Sequence, residues 1–246
     1  LRVVNLDNFS EKDILIIGDS FCRSRKNPVD WPVILTKNLI SQEKEKVTVR
    51  GKGFSGASWW STRKLLLKEL EVHTPKILVI THTEAQRIPN DENFSLNSSS
   101  VFDEHNIENI PGDLKTAAQL YYKSLFSIDF HIWAQKQWFL ELDDIIQKYK
   151  IPYVIHFHSF KPWNNEKPHV FKNGVTFDKI LWDNSDDCYI LEKYKDKIDN
   201  QETSLLDLQH KYEVTNHFSR DKNNKIALAS LRAIKNNFIG LQILDL

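Results

Sequence analysis

Methionine is absent from the 246-residue chain, even at position 1, and cysteine and glycine are scarce, with two and seven copies. Cys22 and Cys188 lie far apart and form no CxxC spacing, so neither a disulfide-stapled scaffold nor a cysteine zinc site is indicated, and two free thiols are expected. Net charge is absent too. Lys plus Arg and Asp plus Glu both number 33, which excludes a global field that would draw in nucleic acid or an anionic membrane. No stretch approaches about 18 consecutive apolar residues. The opening Leu1 to Asp7 has no charged segment followed by a long apolar region, so neither a membrane span nor a signal peptide is expected. An initiator, or an export signal, removed ahead of Leu1 would leave the same sequence, so the cytoplasm is a default expectation. What is present is apolar and aromatic: 41% hydrophobic residues, with seven Trp and fourteen Phe. That is enough for one sizeable core, and a single domain over 1–246 is expected.

Asp13-Ile-Leu-Ile-Ile-Gly18 is a short continuous apolar run stopped by glycine, the pattern of a central parallel strand buried on both faces. Val47 to Gly51, Lys76 to Thr81 and Ile151 to Phe157 read as further strands, supported by their β-branched content. Helical patterns lie between them. One runs from Trp31 to Ile40, with Asp30 as N-cap and Pro32 in the first turn; another runs from Trp59 to Val72 and closes before Pro75. Leu114 to Tyr149 carries a long helical pattern with a break near Ser127, and Arg220 to Phe238 is a last helix with a broad apolar face. Alternating strands and helices predict a three-layer α/β/α sandwich around a mostly parallel sheet. In such sheets, sites form beyond the carboxyl ends of the strands. Residues 88–112, rich in Asn and Ser, and 159–211 depart from the pattern and are candidate loops or lids.

Three segments fall where that architecture places chemistry. Ser20 stands two residues after Gly18, at the end of the first strand, where packing fixes its backbone while its hydroxyl can be presented to a substrate. A lone Gly-Asp-Ser also serves as an ordinary helix cap. Gly53-Phe-Ser-Gly-Ala-Ser58 follows the second strand and opens the next helix, and its glycines allow close approach of a reacting group. His217, in Thr215-Asn-His-Phe-Ser219, precedes the terminal helix; a histidine at a helix start favours the neutral imidazole that a general base requires.

Taken together, the Gly-Asp-Ser block at the first strand, the Ser-Gly block after the second and the histidine before the last helix resemble the SGNH (GDSL-like) hydrolase superfamily. The resemblance implies a flavodoxin-like sheet, Ser20 as nucleophile, His217 as base, the amides of Ser20 and Gly56 as oxyanion donors, and hydrolysis of an ester or carbohydrate O-acyl group without a cofactor. Two positions depart from the family pattern. After the third strand the family has Gly-x-Asn-Asp, whereas this chain reads Thr81-His-Thr-Glu84, placing Thr83 at the oxyanion Asn position and Glu84 at the Asp; His82 or Thr83 could donate instead. The triad Asp of Asp-x-x-His is replaced by Val214, which leaves Glu213, Asn216, a backbone carbonyl or a Ser-His dyad to complete the site. Asp19, beside the nucleophile, is a further candidate supporting group. The Lys, Asn and Ile enrichment with few glycines is similar in texture to SGNH-like proteins of marine tailed phages.

Other constellations carry less. His156 and His158 share one face of the fourth strand and could ligate a metal with His82 or His217, though structural imidazoles are the commoner outcome, and no metal is expected. Trp59, Trp60 and Trp163 could line a sugar or acyl site, and core packing serves equally for any one of them. The expected partner is a small ester or an acylated glycan, with no nucleic acid and no membrane. A scaffold that has lost turnover and binds a glycan or protein is the rival. A phosphate site at the first strand ranks last, for want of a GxxxxGK[ST] or GxGxxG fingerprint.

Overall fold

The computed structural model describes residues 11–22, 30–43, 46–54, 56–90, 96–102, 110–159, 169–177, 200, 218, 220–236, 238 and 240–242. The strands are β1 (Glu11–Asp19), β2 (Lys46–Phe54), β3 (Ile77–His82), β4 (Tyr153–His158), β5 (Val175–Phe177) and β6 (Gly240–Gln242). They form one six-stranded sheet in the order β2-β1-β3-β4-β5-β6, with every neighbouring pair parallel. The helices are α1 (Trp31–Glu43), α2 (Trp59–Val72), α3 (Ser98–Phe102), α4 (Gly112–Ser124), α5 (Ile128–Lys148) and α6 (Arg220–Asn236). None of the described helices is long and apolar enough to cross a membrane.

The two-residue period of the strands divides the core into two layers. Ile14, Ile16, Ile77, Val79, Ile155 and Phe157 pack with Trp31, Leu35 and Leu39 of α1 and with Ile226, Ala233 and Ile234 of α6. On the opposite face, Leu15, Ile17, Leu78, Ile80 and Val154 pack with Leu66 and Leu70 of α2 and with Trp138, Leu142 and Ile146 of α5. This is the α/β/α sandwich that the alternation predicts. The chain winds one way from β1 through α1 to β2, then reverses through α2 to β3 on the far side of β1. A reversal of that kind opens a crevice at the carboxyl ends of β1 and β3.

Helix limits follow local chemistry. Ser58 Oγ accepts from Ser61 N at 3.2 Å to cap α2, and Ser127 Oγ accepts from Phe130 N at 3.3 Å to cap α5 at the expected break. Residues 159–211 are not loop throughout: β5 lies within them, three residues long and too short to leave an alternating signature. Within 88–112, α3 packs into a small apolar cluster of Leu96, Val101 and Ala118, and Tyr122 Oη donates to the carbonyls of Gln86 and Leu96 at 2.7 and 2.8 Å. That much of the stretch is tied to α4 and is not an open lid.

Two features of the sheet have measurable consequences. Gly18 sits at φ 144°, and a Cβ there would collide with the hydroxyl and carbonyl of Thr81 on β3. Only glycine lets β1 and β3 close at this point. The second feature is a buried imidazole cluster beneath α5. His82 Nε2 and His156 Nδ1 share a hydrogen bond of 3.1 Å, His156 stacks on Phe171 with ring centroids 3.6 Å apart, and His158 lies 5.2 Å from His82 by centroids. His169, 3.8 Å from the Asp143 carboxylate and stacked on Phe139, closes the group. Burial, reinforced by mutual repulsion, holds His82 and His156 well below the usual imidazole range and His158 at about 4. Among the described residues no group of three His, Cys, Asp or Glu side chains is arranged to hold a metal ion.

Gly18→Ala is expected to lower the stability to chemical denaturation by about 1–3 kcal/mol, the usual cost of forcing atoms into a packed site. The imidazole cluster predicts acid sensitivity. An unfolded histidine titrates near 6.5, so below that pH the unfolded chain takes up protons that the folded chain refuses. The contribution of His158 is therefore fully present above about pH 6.5 and is lost as pH falls toward 4, worth about 3 kcal/mol on its own. Denaturation midpoints measured between pH 7 and 5 should fall, and His158→Phe should flatten that slope whatever its effect at pH 7.

Candidate functional site

The carboxyl ends of β1, β2 and β3 bring together most of the singled-out residues that the structure describes. Ser20 opens a 3₁₀ turn (Ser20–Cys22) directly after the last residue of β1. Asp19 fixes that turn: its Oδ1 accepts from Phe21 N at 3.1 Å and from Thr81 Oγ1 at 3.2 Å, while its own N–H donates to Thr81 Oγ1 at 3.2 Å. Cys22 Sγ donates to the Asp19 carbonyl at 3.3 Å. Asp19 is fully buried, and burial raises its pKa against the opposing pull of Arg87 and Ser159. Ser159 lies near enough to favour the carboxylate, yet neither its Oγ nor Asp19 Oδ2 completes a hydrogen bond of good geometry. Cys22 is buried, and loss of solvent beside Asp19 pushes its thiol far up, which makes it a poor nucleophile.

Gly56 occupies the turn between β2 and α2 at φ 70°, a left-handed conformation that glycine adopts without steric cost. Thr83 is the first residue past β3. Its side chain is buried, its Oγ1 has no hydrogen-bond partner, and its carbonyl accepts from Gln135 Nε2 at 2.7 Å. A buried hydroxyl without a partner costs about 1–3 kcal/mol and marks a donor free for another group. His82, one residue earlier, points to the opposite use: its Nε2 is committed to His156. Glu84 is paired with Arg87 Nε at 3.3 Å.

Arg87 carried no signal in the sequence. It is buried, reaches the Ala57 carbonyl at 3.4 Å through Nη1, pairs with Glu84 and acts electrostatically on Asp19. One guanidinium thus touches the segments following β2 and β3 and bears on the end of β1. Such a role is set by which strands are neighbours, and a lone Arg in Ala-Gln-Arg-Ile does not announce it.

His217, Glu213, Asn216, Ser219 and Trp163 lie outside the described residues, as does the side chain of Ser20. Phe218 is described, and it is informative. Its ring stacks on Phe21 with centroids 4.8 Å apart and an interplanar angle of 26°. Its carbonyl accepts from Asn223 Nδ2 at 3.1 Å, Asn223 Oδ1 accepts from Trp31 N at 2.9 Å, and Trp31 Nε1 donates to the Phe21 carbonyl at 2.7 Å. A closed circuit of four residues therefore joins the position after Ser20 to the position after His217. Asn223 lies in the first turn of α6 and Trp31 opens α1, so the circuit also locks those two helices together.

Trp59 and Trp60 open α2 immediately after the Gly56 turn and line a groove of about 670 Å³ between α2 and α5.

No family model and no curated protein sequence matches the chain. Among solved structures it is similar to an acetyl xylan esterase, AlAXEase, at 11% identity over 90% of this chain and 98% of that one, with a TM-score of 0.44. It is also similar to an acetylxylan esterase from Geobacillus stearothermophilus, at 14% identity over 91% and 94%, TM-score 0.42. A psychrotrophic esterase from Pseudoalteromonas sp. aligns at 12% identity over 92% and 97%, TM-score 0.42. Scores of this size do not establish a shared fold, so the architecture stands on the strand order and register given above.

Proposed function

We propose that the chain is a serine hydrolase that cleaves an ester or carbohydrate O-acyl group through an acyl-enzyme on Ser20, with His217 as general base. The observation that carries this reading is the Phe21–Phe218 stack, because it draws together two segments nearly two hundred residues apart whose immediate neighbours are the hydroxyl and the imidazole in question. The topological reversal at β1 supports it, since that is where parallel sheets of this winding hold ligands.

In this reading the His217 imidazole takes the Ser20 hydroxyl proton as Oγ attacks the carbonyl carbon. Negative charge develops on the carbonyl oxygen, and the backbone N–H groups of Ser20 and Gly56 receive it, with the unpartnered Thr83 hydroxyl as third donor in place of an Asn amide. Collapse expels the alcohol, which takes the proton from His217. A water deprotonated by His217 then attacks the acyl-enzyme, releasing the acid and restoring Ser20. Asp19 has a supporting part: it is buried and spends Oδ1 on Phe21 N and Thr81, so it fixes the nucleophile's turn and is not the base. Asn223 acts through others as a positioning residue, holding the Phe218 carbonyl and thereby the segment that bears the base.

The wild type should be labelled by a fluorophosphonate probe and should hydrolyse p-nitrophenyl acetate. Ser20→Ala should abolish labelling and cost at least about a thousandfold in turnover. Absence of both labelling and turnover in the wild type overturns the reading and favours the non-catalytic binding scaffold. Asn223→Ala should lower kcat by about tenfold or more while leaving KM near its original value, because misplacement of the base affects the transition state and not substrate binding. An unchanged kcat in folded Asn223→Ala removes the positioning role.

A further inference from the structure

Arg87 sits where two segments beyond the carboxyl ends of the strands need a partner from elsewhere. Ser58 is the N-cap of α2, and its carbonyl accepts from Thr62 N at 3.1 Å as the helix begins. The Ala57 carbonyl, one residue earlier, falls outside that ladder, because a helix has no N–H to offer a group ahead of its cap. Ala57 is 3% exposed, so water is a poor substitute, and the bond comes instead from Arg87 Nη1 at 3.4 Å. Past β3 the chain is pinned through its backbone: the carbonyls of Thr83, Ala85 and Gln86 accept from Gln135 and His131 of α5 and from Tyr122 of α4. Glu84, among them, uses its side chain, which accepts from Arg87 Nε at 3.3 Å.

Both ties end on immediate neighbours of the two oxyanion donors proposed outside the Ser20 turn: Ala57 follows Gly56, and Glu84 follows Thr83. The Thr83 hydroxyl makes no hydrogen bond of its own, so its place is set by the backbone that carries it. A guanidinium is a planar fork whose donors point in fixed directions, so one group bonded at Nε and Nη1 sets the separation of what it holds. Burial of Arg87 keeps that fork from swinging into solvent. Its charge also bears on Asp19, favouring the carboxylate whose Oδ1 fixes the Ser20 turn. All three proposed donors are therefore referred to one side chain.

We propose that Arg87 is a positioning residue for the oxyanion hole, setting the spacing between the Gly56 amide and the Thr83 hydroxyl by bridging the Ala57 carbonyl and the Glu84 carboxylate. The inference rests on the serine-hydrolase reading above and assigns Arg87 no contact with substrate. Its effect is felt as charge develops on the carbonyl oxygen, when donors must already stand at hydrogen-bond distance from the oxyanion. A misplacement of about 1 Å at that stage can cost on the order of a hundredfold in rate. The ground-state ester draws little on the same donors, so loss of Arg87 acts on kcat and leaves KM nearly alone.

The test uses the full chain and p-nitrophenyl acetate. Arg87→Ala, folded by circular dichroism, should lower kcat by about tenfold or more with KM held within about twofold. Arg87→Lys keeps the charge but loses the fork, and should lie closer to Arg87→Ala than to the wild type. Thr83→Val should cost about a hundredfold in the wild type, and at least about threefold less than that once Arg87 is gone, because the hydroxyl is then already out of place. A merely structural role would instead give two independent losses that multiply. Glu84→Ala, at a half-buried position, cuts one end of the bridge and should lower kcat by about threefold or more, which keeps the claim testable if Arg87→Ala does not fold. Full activity of Arg87→Lys, unchanged kcat in Glu84→Ala or in folded Arg87→Ala, an effect confined to KM, or losses that multiply would each overturn the proposal. An active wild type labelled by fluorophosphonate beside any of those results removes the role of Arg87 alone; an inert, unlabelled wild type removes the hydrolase reading and this role with it.

Discussion

The reciprocal hydrogen bonds between Asp19 and Thr81 fix the end of β1 against the end of β3, and the candidate site is arranged around that junction. They form only because Gly18 has no Cβ to hold the strands apart, and they hold only because the junction is sealed from water. A fully buried carboxyl is costly unless bonded. Here it is bonded to a backbone N–H in its own turn and to a hydroxyl on the next strand, with Arg87 opposing its charge. The turn that presents Ser20 is therefore held by a polar group that belongs to the core, and its geometry is set before any ligand arrives.

The other half of the candidate site comes from the far end of the chain. Bringing residue 218 back to residue 21 carries a large loop-closure cost, and the contacts that offset it are specific. The Phe21–Phe218 stack supplies apolar burial, while the Trp31 and Asn223 hydrogen bonds supply direction. Trp31 serves two ends: its indole N–H caps the Phe21 carbonyl and its ring packs against Phe157 of β4. The same side chain that anchors α1 to the sheet also ties the Ser20 turn to the α6 entrance, so fold stability and site geometry cannot be separated there.

The two faces of α5 meet different surroundings. Toward the sheet it covers three buried imidazoles and the half-buried His169, kept neutral by loss of solvent, a packing solution that fails in acid because each imidazole is charged once exposed. Toward solvent it presents aromatic rings and one half of a closed ion pair. His156 and His158 lie beneath the first face, where His156 stacks on Phe171 and His158 meets Phe139 edge-on.

Much of this was readable from one dimension. The existence of β1 to β4, the extent of α2 and the break before α5 follow from apolar and β-branched runs, the helical pattern interrupted near Ser127 and the proline after α2, all local signals whose energies act within a few residues, although β2 runs on to Phe54, past the Gly51 at which its sequence pattern stops. Glycine at 18 and 56 likewise declared its turns. β5 and β6 gave no such sign, since three residues pair as strands only when a neighbouring edge is already in place. Arg87 and Asn223 were equally silent, because the partners that tie them to other elements, Ala57 and Asp19 for the one and Trp31 for the other, lie tens to hundreds of positions away and local sequence carries no record of distance in space. The sequence by itself determined the alternation of layers and the placement of Ser20 and Gly56 at strand ends, through steric and hydrophobic periodicity. Only the tertiary structure decided which polar groups meet across those ends, because hydrogen bonds and ring stacks depend on ångström separations that burial of the whole sheet imposes.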